Sequence, residues 1–301
     1  MTRRVLRLGL TFLLATTVGA TIAVGSLSLR TVEVMLHPRR LPVLETPDQY
    51  GLPFEPVIFP SLDGTTLRGW FIPGATAATV VLVHGLRANR AANLGQAEWL
   101  WRRGGFSLLL FDLRASGESD GETVTYGYHE QNDLLGAAAY LATRPDVDPE
   151  RLGAYGVSLG AAVVVLAGGS SRSFQALVAD SPFTSVESMI ASSFRQATGM
   201  PPFPFAPLVT RLGQREIGIS PAQIAPLAVV ARISPTPLLL IHGGQDDLIP
   251  VDASQSLYHA AREPKELWIV DQASHGRAWP VAKEEYEQRV VTFFQRHLRH
   301  P

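Results

Sequence analysis

Two hydrophobic patterns alternate along the chain. Near-continuous apolar runs, the mark of strands buried on both faces, occupy Thr79 to Val83, Phe106 to Phe111, Leu152 to Val157, Ala176 to Ala179, Pro237 to Ile241 and Leu267 to Val270. Helical spacing separates them over Ala91 to Arg103, Tyr128 to Ala142, Leu159 to Ala167 and Ser254 to Ala261. A closing helix from about Val281 to Leu298 carries Tyr286, Val290, Phe293 and Phe294 on one stripe. Upstream, Pro56 to Pro60 and Leu67 to Ile72 read as short strands joined through Asp63-Gly64, an antiparallel hairpin signal. The alternation predicts an α/β fold with eight mostly parallel strands and helices on both faces. Residues Ser185 to Pro235 break the rhythm with many prolines and the segment Met200-Pro201-Pro202-Phe203-Pro204-Phe205, which predicts an insertion after strand six, over one end of the sheet.

The first 36 residues form a different kind of segment. Leu8 to Leu29 are 22 residues without a charge, flanked by Arg3, Arg4 and Arg7 before and Arg30 after. That run is long enough to cross a bilayer as a helix. A signal peptide would use Arg3 and Arg4 as its basic start, Leu6 to Val18 as its apolar core and Val18-Gly19-Ala20 as its cleavage site. The apolar run continues beyond Ala20, which favours a retained single-pass anchor over residues 1–36. Arginines on the two sides are balanced three against three. A short basic N-terminus ordinarily stays in the cytoplasm, which would put the body outside. Four prolines in residues 37–53 predict a linker, and the body runs over 54–301.

Composition narrows the chemistry. The chain is 46% hydrophobic and 18% charged, enough apolar content for a sizeable core. Residues 1–40 hold six arginines and one acid, so the rest carries 20 basic against 26 acidic side chains, a poor match for a polyphosphate backbone; no nucleic-acid partner is expected. The absence of cysteine removes disulfides, thiolate nucleophiles and Cys-ligated metals.

Sites on open parallel sheets sit at the carboxyl ends of strands, and four such ends carry reactive side chains. Gly156-Val157-Ser158-Leu159-Gly160 joins a strand to a helix of small residues, the setting in which a sharp turn presents a serine hydroxyl. Gly117-Glu118-Ser119-Asp120-Gly121 also fits G-x-S-x-G, but no small-residue helix follows it, so Ser119 reads as a turn residue. A nucleophilic serine needs a base and an orienting acid. His275, in the loop after the last strand, is the candidate base. Asp246 is preferred to Asp247 as the acid after the preceding strand. The order Ser158, Asp246, His275 is that of one serine-hydrolase fold and not of the others. An oxyanion would need two N–H donors, which Leu86 and Leu159 are placed to supply. His84 reads as a packing and hydrogen-bonding residue, and His129, His259, His297 and His300 as solvent-facing.

On these residues the chain resembles the α/β-hydrolase superfamily from about Phe54 onward. The resemblance rests on Val-Leu-Val-His-Gly (81–85), Phe-Asp-Leu-Arg-Ala-Ser-Gly-Glu-Ser (111–119), Gly-Val-Ser-Leu-Gly (156–160), His-Gly-Gly-Gln-Asp (242–246) and Ser-His-Gly (274–276). It is similar to uncharacterised bacterial hydrolases of serine-aminopeptidase-like type with an N-terminal membrane segment. The resemblance implies that Asp246 takes the acid position and that Gly117 and Ser119 belong to a structural turn. The chain lacks the His-Gly-Gly-Gly run of hormone-sensitive-lipase-type esterases, the Gly-Pro-Gly of proline iminopeptidases and the nucleophilic Asp of dehalogenases.

The expected activity is hydrolysis of a carboxylic ester, or a thioester or amide, through an acyl-enzyme, on a small-molecule or lipid-like substrate. No metal or organic cofactor is implied. A peptidase taking N-terminal residues or acylated peptides is an alternative; its acidic pocket would need Glu187 and Glu216, the only acids in the insertion. A non-catalytic, membrane-tethered binding protein on the same scaffold is another. Phe203 and Phe205 either pack the insertion onto the rim of the site or face a bilayer.

Overall fold

Uninterrupted apolar runs become the central strands, because a strand covered on both faces has no polar side to declare. The computed structural model describes residues 3–298. Its strands are β1 (Glu55–Pro60), β2 (Thr66–Ile72), β3 (Thr79–Val83), β4 (Ser107–Phe111), β5 (Leu152–Val157), β6 (Ala176–Asp180), β7 (Leu238–Gly243) and β8 (Lys265–Val270). They form one eight-stranded sheet in the order β1-β2-β4-β3-β5-β6-β7-β8. From β4 to β8 every pairing is parallel, while β1–β2 and β2–β4 are antiparallel. The expected Asp63-Gly64 hairpin is the β1–β2 turn, with Pro60 opposite Thr66.

Successive side chains of a strand point to opposite faces, and the two cores follow that rule. Val81, Val83, Leu109 and Phe111 face α3 (Glu130–Leu141) and α4 (Leu159–Ser170). Val80, Leu82, Leu108 and Leu110 face α2 (Leu94–Gly104) and α10 (Lys283–His297). Tyr286, Val290, Phe293 and Phe294 are the buried stripe of α10, as their spacing predicted. The helix expected from Ala91 begins instead as a 3-10 turn, Arg90–Asn93, because Asn89 caps it by accepting from the Ala91 N–H. Strand β8 starts two residues earlier than its apolar run, since as an edge strand it is only partly covered. Helix α8 (Asp252–Ala260) joins β7 to β8, and the short α9 (Ala278–Val281) precedes α10.

The insertion lies between β6 and β7 as a helical cap: α5 (Val186–Thr198), α6 (Phe205–Ile217) and α7 (Pro226–Val229). Its hinge to the body is tied by Val186 N–H to Ile224 O and Leu227 N–H to Thr184 O. Phe205 is buried and stacks on Phe194 at 4.3 Å between ring centres, so it holds α5 to α6 and does not face outward. Phe203 is 77% exposed.

Helix α1 (Arg3–Leu36) outlasts the charge-free run by seven residues. It is long and apolar enough to cross a membrane. Its last turns do not stand free of the body. Val24 and Gly25 are half-buried, and Ser28, Val32 and Leu36 are buried, a four-residue spacing that lays one helix face against α6. Val124 N–H donates to Leu36 O at 2.8 Å and the Tyr126 hydroxyl to Met35 O at 3.2 Å. The segment expected as a linker is likewise fastened: Asn89 donates to Leu41 O and Pro42 O, and Leu52 is buried against the second core.

Candidate active site

The turn from β5 into α4 passes closer to β3 than any side chain would allow. A Cβ at Gly156 would collide with the Gly160 carbonyl oxygen, and one at Gly160 with the Val83 carbonyl oxygen. Glycine at both positions lets the serine between them sit at φ 56°, ψ −117°, a conformation strained for any residue but glycine. The strain is held by a hydrogen bond from the Ser158 N–H to Asp180 O at 2.8 Å. The hydroxyl is thereby lifted to the end of the sheet, at the N-terminus of α4, where the unpaired N–H groups favour negative charge.

Three distant side chains meet there. Ser158 Oγ lies 2.8 Å from His275 Nε2, and His275 Nδ1 lies 2.7 Å from Asp246 Oδ2. His275 stays partly open to solvent, while the Asp246 carboxylate is fully enclosed. Asp246 Oδ1 accepts from the N–H groups of Leu248 and Ile249. Burial pushes the Asp246 carboxyl up, but hydrogen bonds from His242 and His275, the nearby imidazole charge and the Ile249 amide outweigh it and hold it at about 2. Asp247 points outward and is exposed.

Leu159 opens α4 directly after the serine. Leu86 follows Gly85, whose backbone packs so near the serine that an added Cβ would stand 3.6 Å from Ser158 Cβ. Among the described residues, neither the Leu86 nor the Leu159 N–H finds an acceptor in the protein.

Two buried groups behind the site had no role in the sequence reading. His242 is fully buried; its Nε2–H faces Ile249 O at 2.8 Å and Asp246 Oδ2 at 3.2 Å, and the Ser254 hydroxyl donates to its Nδ1 at 2.7 Å. Its position directly before the glycine pair of His-Gly-Gly was the available signal. Asp180, at the end of β6, accepts from Tyr286 Oη at 2.7 Å and Ser181 Oγ at 2.8 Å, and burial raises its carboxyl above the ordinary range.

The remaining candidates fall elsewhere. Ser119 is enclosed, donating to Asp112 O and accepting from Arg68 N–H, a turn residue as expected. His84 is buried; its Nδ1–H donates to Gly85 O and its Nε2 accepts from Leu113 N–H. Of the histidines expected in solvent, His259 is exposed but His129 and His297 are half-buried, the first beside Asp63 and the second against Phe293; His300 lies outside the described residues. Glu187 and Glu216 are exposed on the cap, and the groove that Glu187 lines contains neither Ser158 nor His275. Among the described residues no three His, Asp or Glu side chains converge as a metal ion would require.

This sheet order and the strand-end residues define an α/β-hydrolase. The chain belongs to the prolyl oligopeptidase family, peptidase family S9, whose sequence pattern matches residues 100–301. Uncharacterised bacterial proteins are similar: YfhR of Escherichia coli strain K12 is 32% identical over 79% of this chain and 80% of its own, and YqkD of Bacillus subtilis 29% identical over 78% and 77%. The solved structure of the Pyrococcus furiosus esterase Pf2001 superposes with a TM-score of 0.73 at 28% identity, covering 87% of this chain and all of that one. Pyrococcus horikoshii acylaminoacyl peptidase shares the fold at 23% identity, with a TM-score of 0.61, over 81% of this chain and 42% of its own.

Proposed function

We propose that the chain is a membrane-anchored serine esterase working through an acyl-enzyme. Ser158 Oγ attacks the ester carbonyl while His275 Nε2 takes its proton. The tetrahedral oxyanion accepts from the N–H groups of Leu86 and Leu159, each worth roughly 3 kcal/mol in the transition state. Collapse breaks the C–O bond, and His275 returns the proton to the departing alcohol. Water, deprotonated by the same imidazole, then attacks the acyl-Ser158 ester; the acyl–Oγ bond breaks to release the acid, and His275 returns the proton to Ser158 Oγ. Asp246, ionised, holds the imidazole with Nδ1–H toward it and stabilises the imidazolium.

The observation that carries this reading is the continuous relay of 2.8 Å and 2.7 Å from Ser158 through His275 to Asp246. The preference for esters draws on the similarity to the Pyrococcus furiosus esterase. In the test, Ser158→Ala loses labelling by a fluorophosphonate probe and turnover of short p-nitrophenyl esters. Labelling retained in that variant would falsify the role of Ser158.

Family membership favours one second reading, a peptidase with the same three side chains. Aminoacyl arylamides turned over faster than esters would decide for it.

A further inference from the structure

Nothing in the proposed chemistry uses the cap surface that carries Met200 and Phe203. The way α1 meets the cap gives that surface a surrounding. The charge-free run Leu8 to Leu29 measures about 33 Å as a helix, little more than one hydrocarbon thickness, so crossing requires nearly all of it. Yet the face that packs on the cap begins at Val24, inside that run. About 9 Å of helix, Val24 to Leu29, belongs to both the span and the packed face. The part of the cap beside it is therefore level with the bilayer boundary.

Which end of the cap that is follows from the far end of α1. Val32 and Leu36 share an apolar cavity with Val209, Gly213, Ile217, Ile219 and Ile224, from the middle and C-terminal end of α6 and the segment after it, and with Val186 and Ile190 at the start of α5. Since α1 packs along α6, the N-terminal end of α6 and the turn before it lie toward the membrane-ward turns of α1. That turn is built for an apolar boundary. Met200 is 55% and Phe203 77% exposed, and Pro201, Pro202, Pro204 and Pro207 bring no N–H donor that would have to leave water. Arg195 in the last turn of α5 and Arg211 on α6 are exposed on the helices that flank it. Residues 185–235 carry four arginines against two glutamates, whereas the other residues after 40 carry 16 basic against 24 acidic side chains. The cap is thus the basic patch of an acidic body, suited to phosphate headgroups.

We infer that the α5–α6 cap is seated in the membrane that α1 crosses: Met200 and Phe203 enter the acyl boundary, Arg195 and Arg211 meet lipid phosphates, and the substrate is an amphiphilic ester resident in that membrane. The substrate clause rests on the serine esterase reading and on α1 being retained; the seating of the cap rests on α1 alone.

Because the chain has no cysteine, a single one can be placed and labelled with a nitroxide. The full chain carrying Phe203→Cys, in phosphatidylethanolamine–phosphatidylglycerol vesicles, is compared with Gln288→Cys on the exposed face of α10. The label at 203 is expected to collide with oxygen more than with a water-soluble nickel chelate, and the label at 288 the reverse. An aqueous profile at 203 overturns the seating. So does dipolar broadening between labels at 203, which would put a second copy of the chain there. For the substrate clause, Phe203→Ser is expected to turn over a soluble short ester within twofold of the parent and a long-chain ester held in vesicles at least tenfold more slowly. Equal turnover of the vesicle ester by parent and variant overturns it. Loss of both activities in the parent would instead count against the serine esterase reading and would leave the nitroxide result standing.

Discussion

His242 and Asp246, four residues apart, face each other inside the protein with Nε2 and Oδ2 separated by 3.2 Å. The same carboxylate oxygen reaches His275, so the buried imidazole fixes the acid from behind while the half-open one takes its direction from it. His242→Leu removes a donor to Asp246 and leaves the Ser254 hydroxyl without its acceptor. The expected result is a fall in kcat for a p-nitrophenyl ester of about 10- to 100-fold with KM changed less than about threefold. The fall should extend across the whole pH–rate profile, because Asp246, relieved of one of its donors, holds the His275 imidazole less firmly. A flat kcat and an unmoved profile would confine His242 to packing.

The low pKa of Asp246 has a consequence for stability. Its folded-state value of about 2 lies below the unfolded value, so the carboxylate adds stability that is complete above about pH 4. That contribution is lost as pH falls through about 2, and at full extent it is on the order of 2 kcal/mol. Thermal melts of the parent and Asp246→Asn between pH 2 and 5 should show a gap that closes at the acid end. A gap independent of pH over that range would contradict the assignment.

Glycine 160 allows α4 to approach β3 so closely that a methyl group would meet the Val83 carbonyl. Gly160→Ala should cost about 1–3 kcal/mol and also displace Ser158, the residue two positions before it. The check is paired: a lowered melting temperature together with weaker fluorophosphonate labelling. Full labelling at reduced stability would show that the turn can absorb the shift.

A buried ion pair braces the loops on the β3 side of the site. Arg90 Nη1 lies 2.5 Å from Asp112 Oδ2, and Asp112 also accepts from the Arg90 and Glu118 N–H groups. Asp112→Ala leaves the enclosed Arg90 guanidinium with Glu118 as its remaining acid and three N–H donors short of an acceptor or partner, and should cost about 3 kcal/mol. Changing both partners, Arg90→Leu with Asp112→Leu, should recover part of that loss in urea titrations of the detergent-solubilised protein.

Shortening the chain separates the two parts of α1. A chain starting at Thr21 keeps the packed turns from Val24 to Leu36 and should melt within a few degrees of the parent. A chain starting at His37 uncovers Val209 and Ile217 and loses Val32 and Leu36, roughly 3–6 kcal/mol of apolar burial. Differential scanning fluorimetry of the two shortened chains makes the comparison.

Much of this architecture was legible because central strands leave an unambiguous trace. The bounds of β3 and β5 coincide with their apolar runs, and both are buried throughout their parallel pairing apart from the half-buried Val157 at the end of β5. The juxtaposition of Ser158, Asp246 and His275 was legible because each follows a strand and their order is restrictive. What escaped lies where tertiary packing decides. Helix α1 runs on through Arg30 and Glu33 because α6 supplies its inner face, and an isolated sequence does not reveal a partner nearly two hundred residues away. Phe205 and Phe203 look equivalent in the sequence, yet only Phe205 faces Phe194. His242 opens the His-Gly-Gly motif, yet its purpose exists only once Ile249 and Ser254 fold over it.

Helix α1 has no break between Arg3 and Leu36, and its end is bonded to the body at Met35 and Leu36. An enzyme on a flexible leash samples every altitude above its bilayer. One mounted on a stiff mast does not: if α1 is retained in a bilayer and Ser158 is the nucleophile, as proposed, the Ser158 hydroxyl stands at a single altitude. Esters would then be sorted by how far their scissile bond rises from the lipid surface before any pocket inspects their chemistry.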